Sequence, residues 1–185
     1  MTPRKIASII GWGLFVIASV AIQYEVKMGP NHGGDGTTQQ MGSIQVGGPA
    51  PDFTLPDLSG HATALSSYRG QKVMLLDFWA TWCPPCRMTM PGLQKLEEDF
   101  KGRGLEILSI NQGEAGDEVR HFIDHKKYTF HVVLDQNQAV GAKYGVKGIP
   151  TLVLVDKKGV VRRISVGYSK NEDDLQQAVE RLVKE

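Results

Sequence analysis

The chain has 185 residues, of which 22% are charged, and its formal net charge at pH 7 is +1. This length is sufficient for one domain of ordinary size with a substantial core. The near-neutral charge and the lack of a basic stripe give no sign of nucleic-acid binding.

The first 24 residues predict a membrane anchor. Residues 1–5 form a short basic stretch, and residues 6–22 carry no charge. As an α-helix the uncharged stretch would be about 26 Å long, close to the ~30 Å hydrocarbon core of a bilayer. Gln23 and Tyr24 complete a predicted span of residues 6–24, with an aromatic ring at the membrane interface.

The orientation of this segment is predicted from its charges. Arg4 and Lys5 favour a cytoplasmic N-terminus, so everything after Tyr24 is expected to be exported. A cleaved signal peptide is the alternative, because Ser19-Val20-Ala21 has small residues at the spacing of a cleavage site. The apolar part of a signal peptide, about 7–15 residues, is however shorter than this one. Under both interpretations the cysteines lie outside the cytoplasm, where disulfides persist.

The rest of the chain divides into a linker and one domain. Residues 25–48 are rich in glycine and polar residues and predict a flexible linker. The globular domain is predicted to cover residues 49–185. The predicted strands are 53–55 and 63–65 (a hairpin), 73–78, 105–110, 132–134, 151–155 and 160–165, and the predicted helices are 84–101, 118–127, 138–143 and 171–184. Strands that alternate with helices predict an α/β core with helices on both faces of the sheet.

The two cysteines of the chain lie in Trp82-Cys83-Pro84-Pro85-Cys86, between a predicted strand and a predicted helix. A cysteine at a helix N-terminus faces unpaired backbone N–H groups and the positive end of the helix dipole, and both stabilise its thiolate. We therefore expect Cys83 to be accessible, with a pKa below the ordinary value of about 8.5. Cys86, one helical turn later, is expected to be more covered and to act as the resolving thiol.

Three other interpretations of the cysteine pair are less favourable. A structural disulfide that closes a four-residue loop removes little entropy from the unfolded chain. A structural zinc site commonly needs a second cysteine pair, which the chain lacks. A c-type haem attachment needs histidine directly after the second cysteine, where this chain has Arg87. The spacing therefore favours a redox-active pair.

Two motifs together resemble thioredoxin: Asp77-Phe78-Trp79-Ala80 leading into the cysteine motif, and Lys143-Tyr144-Gly145-Val146-Lys147-Gly148-Ile149-Pro150-Thr151. The apolar N-terminus, the linker, the Ala50-Pro51-Asp52-Phe53 segment and the extra helix 118–127 resemble a subgroup, the membrane-tethered TlpA/ResA-type thiol–disulfide oxidoreductases of bacteria. The resemblance covers residues 49–185. It implies a thioredoxin-like fold, with a central mixed sheet, helices on both faces, an N-terminal hairpin and an inserted helix, preceded by one transmembrane helix.

The resemblance also implies a function. Many such proteins reduce disulfides in exported proteins, such as apocytochrome c during cytochrome c biogenesis or copper-site proteins. Their reductant is typically a membrane thiol transporter that passes electrons from cytoplasmic thioredoxin. The protein would then span the bacterial inner membrane once, with its C-terminal domain on the periplasmic side. No metal or cofactor is implied other than the redox-active disulfide Cys83–Cys86. Thioredoxin has Gly-Pro where this chain has Pro84-Pro85, so a reduction potential cannot be carried over.

Five further residues are predicted to contribute to the site. By resemblance, Pro150 is a cis-proline that faces the cysteine pair, and Ile149 forms an apolar lip of the substrate groove. Asp77 interrupts an apolar strand, so burial should raise its pKa and allow it to take the proton of the resolving thiol. Glu114 matches in position a functional glutamate of the TlpA/ResA-type proteins. Trp82 is expected to shield the disulfide and to offer an apolar surface to partners.

Two other functions remain open at this point. A copper-binding chaperone on a thioredoxin-like fold would use the cysteine pair with a distant histidine, His125 or His131, although such proteins usually have three residues between the cysteines. A thiol peroxidase shares the Ala50-Pro51-Asp52-Phe53 segment, but its reactive cysteine lies in a different context. His121 and His125 have a spacing that can bind metal on one helix, but a solvated helix face is the favoured interpretation.

Overall fold

The structure is a computed structural model that describes residues 40–41, 44–169 and 173–185. The predicted cytoplasmic N-terminus 1–5, the predicted anchor 6–24 and most of the predicted linker 25–48 lie outside these residues. Within the described part, no helix is both long enough and apolar enough to cross a membrane.

Two small antiparallel pairs come first in the chain. Strands β1 (Gln40–Met41) and β2 (Ile44–Gln45) form one pair, and β3 (Thr54–Pro56) and β4 (Ala62–Ala64) form the other. The β3–β4 pair confirms the predicted hairpin. Asp57 stabilises its turn, because its Oδ1 accepts hydrogen bonds from the backbone N–H groups of Ser59 and His61.

A five-stranded mixed sheet follows. Its strands in chain order are β5 (Val73–Trp79), β6 (Leu105–Gln112), β7 (His131–Asp135), β8 (Thr151–Val155) and β9 (Val161–Val166). In space they are ordered β7–β6–β5–β8–β9. Strands β5, β6 and β7 are parallel to one another, whereas β8 is antiparallel to both of its neighbours. This arrangement confirms the predicted α/β fold with a mixed sheet.

Four helices of the described part connect and cover these strands: α1 (Pro84–Phe100), α2 (Gly116–Lys126), α3 (Ala139–Tyr144) and α4 (Asp173–Lys184). Their bounds lie within about two residues of the predicted ones, which is the usual uncertainty of a helix end. Pro91 lies inside α1 and does not end it. Residues 171 and 172, the first two of the predicted last helix, lie outside the described residues.

The helices pack on both faces of the sheet, as predicted. Val73, Leu75 and Trp79 of β5 are buried on one face, because alternate residues of a strand point to opposite faces. That face is covered by α1, α2 and α4, with Met90, Leu93, Val119 and Val179 among the buried side chains. The opposite face buries Met74, Leu76 and Phe78 of β5 beneath the β3–β4 hairpin and α3, with Phe53, Leu55, Val140 and Tyr144.

The domain starts earlier than the predicted residue 49. Ile44 is buried in the core of the second face. The backbone N–H of Gly47 donates to the carbonyl of Val161 at 2.8 Å, and the N–H of Val161 donates to the carbonyl of Gly48 at 2.9 Å. The glycine-rich composition predicted a linker up to residue 48, but these bonds and the burial of one isoleucine attach its last residues to the sheet.

The loops that contain the two motifs meet at one edge of the sheet. The parallel strands β5 and β6 end there, and Trp79 at the end of β5 pairs with Asn111 near the end of β6. Because β8 is antiparallel to β5, its first residue, Thr151, lies at the same edge, where it pairs with Phe78. The cysteine motif after β5 and Pro150 before β8 are therefore brought together.

The start of α3 offers a test of the packing. Asp135 accepts hydrogen bonds from the N–H groups of Val140 and Gly141 and from the side-chain amide of Gln112, at 3.2, 2.8 and 3.1 Å. A Cβ added at Gly141 would overlap the buried Oε1 of Gln112. Gly141→Ala should therefore lower the free energy of unfolding by about 1–2 kcal/mol in urea denaturation. Gly102→Ala is the control, because a Cβ there meets nothing within 4 Å. An equal effect of both substitutions would contradict the packing described.

Candidate active site

The cysteine pair lies at the N-terminus of α1. Cys83 and Cys86 form a disulfide with a Cα–Cα distance of 5.3 Å. Cys83 is the N-cap of α1, and its Sγ accepts the backbone N–H of Cys86 at 3.2 Å. Pro84 and Pro85 occupy the first two helical positions and have no N–H, so the N–H of Cys86 is the first donor of the helix that the sulfur can use. In the dithiol state this N–H and the helix dipole favour the Cys83 thiolate.

The sulfur atoms are more covered than expected. Cys83 is 3% exposed and Cys86 is 1% exposed. Cys83 is the more exposed of the two, as predicted. The expectation of an accessible Cys83 is nevertheless wrong for the disulfide state. Part of the cover comes from a loop distant in sequence, because the carbonyl oxygen of Ile149 lies 3.7 Å from the Sγ of Cys83.

This loop contains the predicted cis peptide bond, between Ile149 and Pro150. Two hydrogen bonds hold it: the Thr151 hydroxyl donates to the carbonyl of Gly148 at 2.7 Å, and the N–H of Gly167 donates to the carbonyl of Pro150 at 2.8 Å. Ile149 is half-buried and packs against both cores. Its carbonyl therefore presents a backbone acceptor beside the sulfur that the helix favours as nucleophile.

Two tryptophans flank the cysteine motif and differ in environment. Trp79 is fully buried, and its ring centroid lies 5.5 Å from that of Phe122 on α2, so it is a core residue. Trp82 is 64% exposed and presents its indole to solvent beside Cys83. Other large exposed apolar side chains lie close by in the chain or the sheet: Met88 follows Cys86 by two residues, and Val166 pairs with Thr151.

Asp77 is buried beneath this site. Its side chain is 1% exposed, and the hydroxyl of Ser109 donates to its Oδ2 at 3.1 Å. Burial raises the pKa of Asp77 to about 7, against the stabilising effect of the Ser109 hydroxyl. Along β5 it alternates in phase with Leu75 and Trp79, so it lies on the face that α1 and Cys86 cover. A carboxyl group with this pKa is about half ionised at neutral pH and can exchange a proton.

Glu114 is buried close to the cysteine motif and is held there by hydrogen bonds. Its carboxylate accepts hydrogen bonds from the backbone N–H of Thr81 at 2.7 Å and from the side-chain amide of Asn111 at 2.6 Å, and the Thr81 hydroxyl donates to its second oxygen. Both oxygens are therefore engaged in buried hydrogen bonds. Glu114 holds Thr81, two residues before Cys83, and is better described as a positioning residue than as a proton carrier.

Arg87 holds the carbonyl side of the same residue, Thr81. Its Nε donates to the carbonyl of Thr81 at 2.6 Å, and its guanidinium lies 5.7 Å from the ring centroid of Phe122. Arg87 is therefore anchored by two contacts rather than free in solvent. The role of Thr81 was not predicted from the sequence, because a threonine in a loop gives no sign of its hydrogen-bond partners. The only signal that could have identified it is its position just before the cysteine motif.

None of the described histidines joins the cysteines in a metal site. His131 opens β7, at the end of the strand opposite to the active-site edge, where Tyr68 and Glu106 lie at 3.2 and 3.9 Å from its Nδ1. His121 and His125 stack on α2 with ring centroids 6.4 Å apart. Over the residues that the structure describes, no three His, Cys, Asp or Glu side chains are placed to hold a metal ion.

Comparisons with known sequences agree with this site. Residues 46–164 match the AhpC/TSA family. The thiol-disulfide oxidoreductase ResA of Geobacillus kaustophilus (strain HTA426) is 43% identical over 131 residues, which cover 71% of this chain and 75% of that protein. The thioredoxin-like protein YneN of Bacillus subtilis (strain 168) is 41% identical over 127 residues, which cover 67% of this chain and 73% of that protein.

Solved structures show the same fold. A putative thiol:disulfide interchange protein DsbE from Chlorobium tepidum superimposes with a TM-score of 0.72 and 32% identity, over 76% of this chain and 99% of that one. A putative protein disulfide isomerase from Bacteroides thetaiotaomicron superimposes with a TM-score of 0.73 and 31% identity, over 80% and 96% of the two chains. The chain is therefore similar to thiol–disulfide oxidoreductases in sequence and in structure.

The raised pKa of Asp77 predicts a pH dependence of stability. The folded protein keeps a proton on Asp77 up to about pH 7, whereas the unfolded chain loses it near pH 3.8. The free energy of unfolding should therefore fall as pH rises through this window. Asp77→Asn removes this loss. The free energy of unfolding of the variant, relative to that of the parent protein, should therefore increase by roughly 2 to 3 kcal/mol from about pH 5 to about pH 8.

Urea denaturation of both oxidised proteins at the two pH values measures this difference. Asp156→Asn is the matched control. The pKa of Asp156 is lowered, since the Val160 and Lys158 N–H groups and Arg162 outweigh its burial. The effect of Asp156→Asn on the free energy of unfolding should therefore be constant between about pH 5 and about pH 8. A difference between Asp77→Asn and the parent protein that does not change with pH would refute the raised pKa.

Proposed function

The chain belongs to the AhpC/TSA family and is a thiol–disulfide oxidoreductase of the ResA type, and we propose that it is a membrane-tethered reductase of disulfides in exported proteins. The observation that carries the proposal is the asymmetry of the cysteine pair. Cys83 caps α1 and accepts the N–H of Cys86, whereas Cys86 lies inside the first turn and is almost fully buried. One sulfur is thereby favoured as the nucleophile and the other as the resolving group.

The reaction proceeds in two exchange steps. The Cys83 thiolate attacks one sulfur of the substrate disulfide, forms a mixed disulfide and releases the other substrate sulfur as a thiolate. Cys86 then loses its proton and attacks the Sγ of Cys83, which forms the Cys83–Cys86 disulfide and releases the second substrate sulfur. The substrate gains two electrons and two protons, and the cysteine pair loses them.

Asp77 and Glu114 serve different parts of this cycle. Asp77, with a pKa of about 7 on the face covered by α1, accepts the proton of Cys86 in the second step, directly or through water. Glu114, together with Arg87, holds Thr81 and so keeps the segment before Cys83 in place. The carbonyl of Ile149, beside the Cys83 sulfur, is the group that pairs with the substrate backbone.

A protein substrate, rather than a small molecule, is supported by the surface around the pair. The large apolar side chains with high exposure in the described part are Trp82, Met88, Val166 and Tyr168. Trp82 and Met88 flank the cysteines, and Val166 lies beside the cis-proline loop. Exposed apolar patches of this kind mark surfaces that other proteins cover.

We propose the location from the N-terminal residues and the electron donor from the resemblance to the TlpA/ResA-type proteins. The basic residues 1–5 and the apolar residues 6–24 support a single-pass anchor in the bacterial inner membrane, with the catalytic domain on the periplasmic side. In that location the oxidised pair is re-reduced by a membrane thiol transporter. Apocytochrome c and copper-site proteins are the substrates that we propose for it.

The order of attack can be tested by trapping. In Cys86→Ser the second step is blocked, so mixed disulfides between Cys83 and exported proteins should accumulate. Cys83→Ser is the matched control and should trap none. The adducts are counted on non-reducing gels of cells that express the full chain, before and after treatment with a reductant. Adducts that form through Cys86 alone would reverse the assigned roles.

The direction of electron flow is tested by the reduction potential of the Cys83–Cys86 couple. We expect a reducing potential, near or below about −200 mV, whereas a value near about −120 mV is typical of strong oxidants and would contradict the proposed direction. Rapid consumption of hydrogen peroxide by the reduced protein would favour the thiol peroxidase instead. Stoichiometric copper binding that is lost in His125→Ala or His131→Ala would favour the copper chaperone.

A further inference from the structure

A groove runs between helix α2 and the segment that leads into Cys83. It has a volume of about 350 Å³, and Thr81 and Arg87 line one side of it. Helix α2 lines the other side with Glu118, Phe122 and Lys126, together with two histidines. The mechanism above uses none of the side chains that α2 contributes.

The groove adjoins the disulfide through the chain itself. Thr81 precedes Cys83 by two residues, and Arg87 directly follows Cys86. The hydrogen bond from Arg87 to the Thr81 carbonyl and the position of the guanidinium over Phe122 fix this side of the groove against α2. A segment bound in the groove would therefore contact residues that flank the cysteine pair in the chain.

Two cationic side chains, Arg87 and Lys126, and one carboxylate line the groove, so the charge of its lining is positive on balance. Within the described residues neither Arg87 nor Lys126 forms an ion pair with a carboxylate, whereas Lys101 and Arg162 pair with Glu97 and Asp156 at 2.8 and 2.6 Å. Glu118 is the one acidic residue of the lining. A concave surface with unpaired positive charge attracts anions and raises the rate at which they are captured.

The two histidines of the groove support an anion rather than a metal. His121 and His125 are exposed and stacked on one face of α2, so their ring N–H groups are available as donors. Arg87 and Lys126 would repel a metal cation at this place. The part of the chain that the structure describes also provides no third ligand that could complete such a site.

We propose that this groove binds an acidic segment of the substrate protein, so that disulfides flanked by Asp or Glu are the preferred substrates. The proposal rests on the proposed function and names the class of protein on which it acts. Arg87 and Lys126 would bind the carboxylates, the histidines would donate further hydrogen bonds, and Phe122 would contact the stems of the side chains. The rate of the first exchange step should increase, because charge complementarity acts mainly on the rate of association.

Two synthetic peptide disulfides provide the test. They have the same sequence, except that one carries Asp and Glu beside the cysteine and the other carries Asn and Gln. The reduced full-length protein is mixed with each, and the second-order rate constant of its oxidation is measured. At low salt we expect the acidic peptide to react about fivefold faster, as for one or two exposed charge pairs, and the advantage to decrease with added salt.

Charge variants locate the effect. Lys126→Gln should remove most of the preference for the acidic peptide, and Lys126→Glu should reverse it toward a third peptide with Lys at these positions. Lys158→Gln is the matched control, because it removes the same charge from the turn between β8 and β9, at the end of β8 away from Pro150. It should leave the preference unchanged.

The outcomes separate this proposal from the proposed function. Equal rates for the acidic and the neutral peptide would contradict the proposal that the groove binds an acidic segment, but not the proposed oxidoreductase activity. A preference that survives in both Lys126 variants would also overturn it, since the preference would arise elsewhere. If neither peptide oxidises the protein while Cys83 remains open to alkylation, the proposed disulfide reduction itself fails, and the groove with it.

Discussion

The structure depends on one short interaction, the hydrogen bond from the Cys86 N–H to the Sγ of Cys83 at the start of α1. It makes the two cysteines chemically different although they are three residues apart. Hydrogen bonding and the helix dipole stabilise a negative charge on one sulfur, while the other is enclosed by the helix and the core. Pro84 and Pro85 remove the other early N–H groups of the helix, so the stabilisation rests on this donor more than it would with Gly-Pro.

The fold holds the residues that surround the start of α1 in place. Parallel β5 and β6 deliver the loops that contain Thr81 and Glu114, and the antiparallel β8 brings the Ile149 carbonyl to the same edge. Thr81 is held on its N–H side by Glu114 and on its carbonyl side by Arg87. An attacking sulfur needs a defined geometry toward its target, and these hydrogen bonds hold the residues before Cys83 in place.

The sequence predicted those features that depend on local pattern. Apolar runs predicted the strands, the spacing of the cysteines predicted the N-cap position, and one acid inside an apolar strand predicted the raised pKa of Asp77. Local pattern did not predict contacts between segments far apart in the chain, and the one such contact that was expected, between Pro150 and the cysteine pair, came from the resemblance to thioredoxin. The partners of Glu114 and the cover that Ile149 places over Cys83 arise from loops that only the sheet brings together. Ile44 was missed for a similar reason, since its glycine-rich surroundings concealed a residue that the core buries.

The central claim is that the start of α1 makes Cys83 the more acidic thiol, and the pKa of that thiol tests it most directly. Cys86→Ala leaves Cys83 as the single thiol of the chain and keeps the main-chain N–H that caps it. The rate of its alkylation by iodoacetamide as a function of pH reports the pKa. A value at least one unit below the ordinary value of about 8.5 is predicted. A value at or above it would contradict the stabilised thiolate on which the assignment of the nucleophile rests.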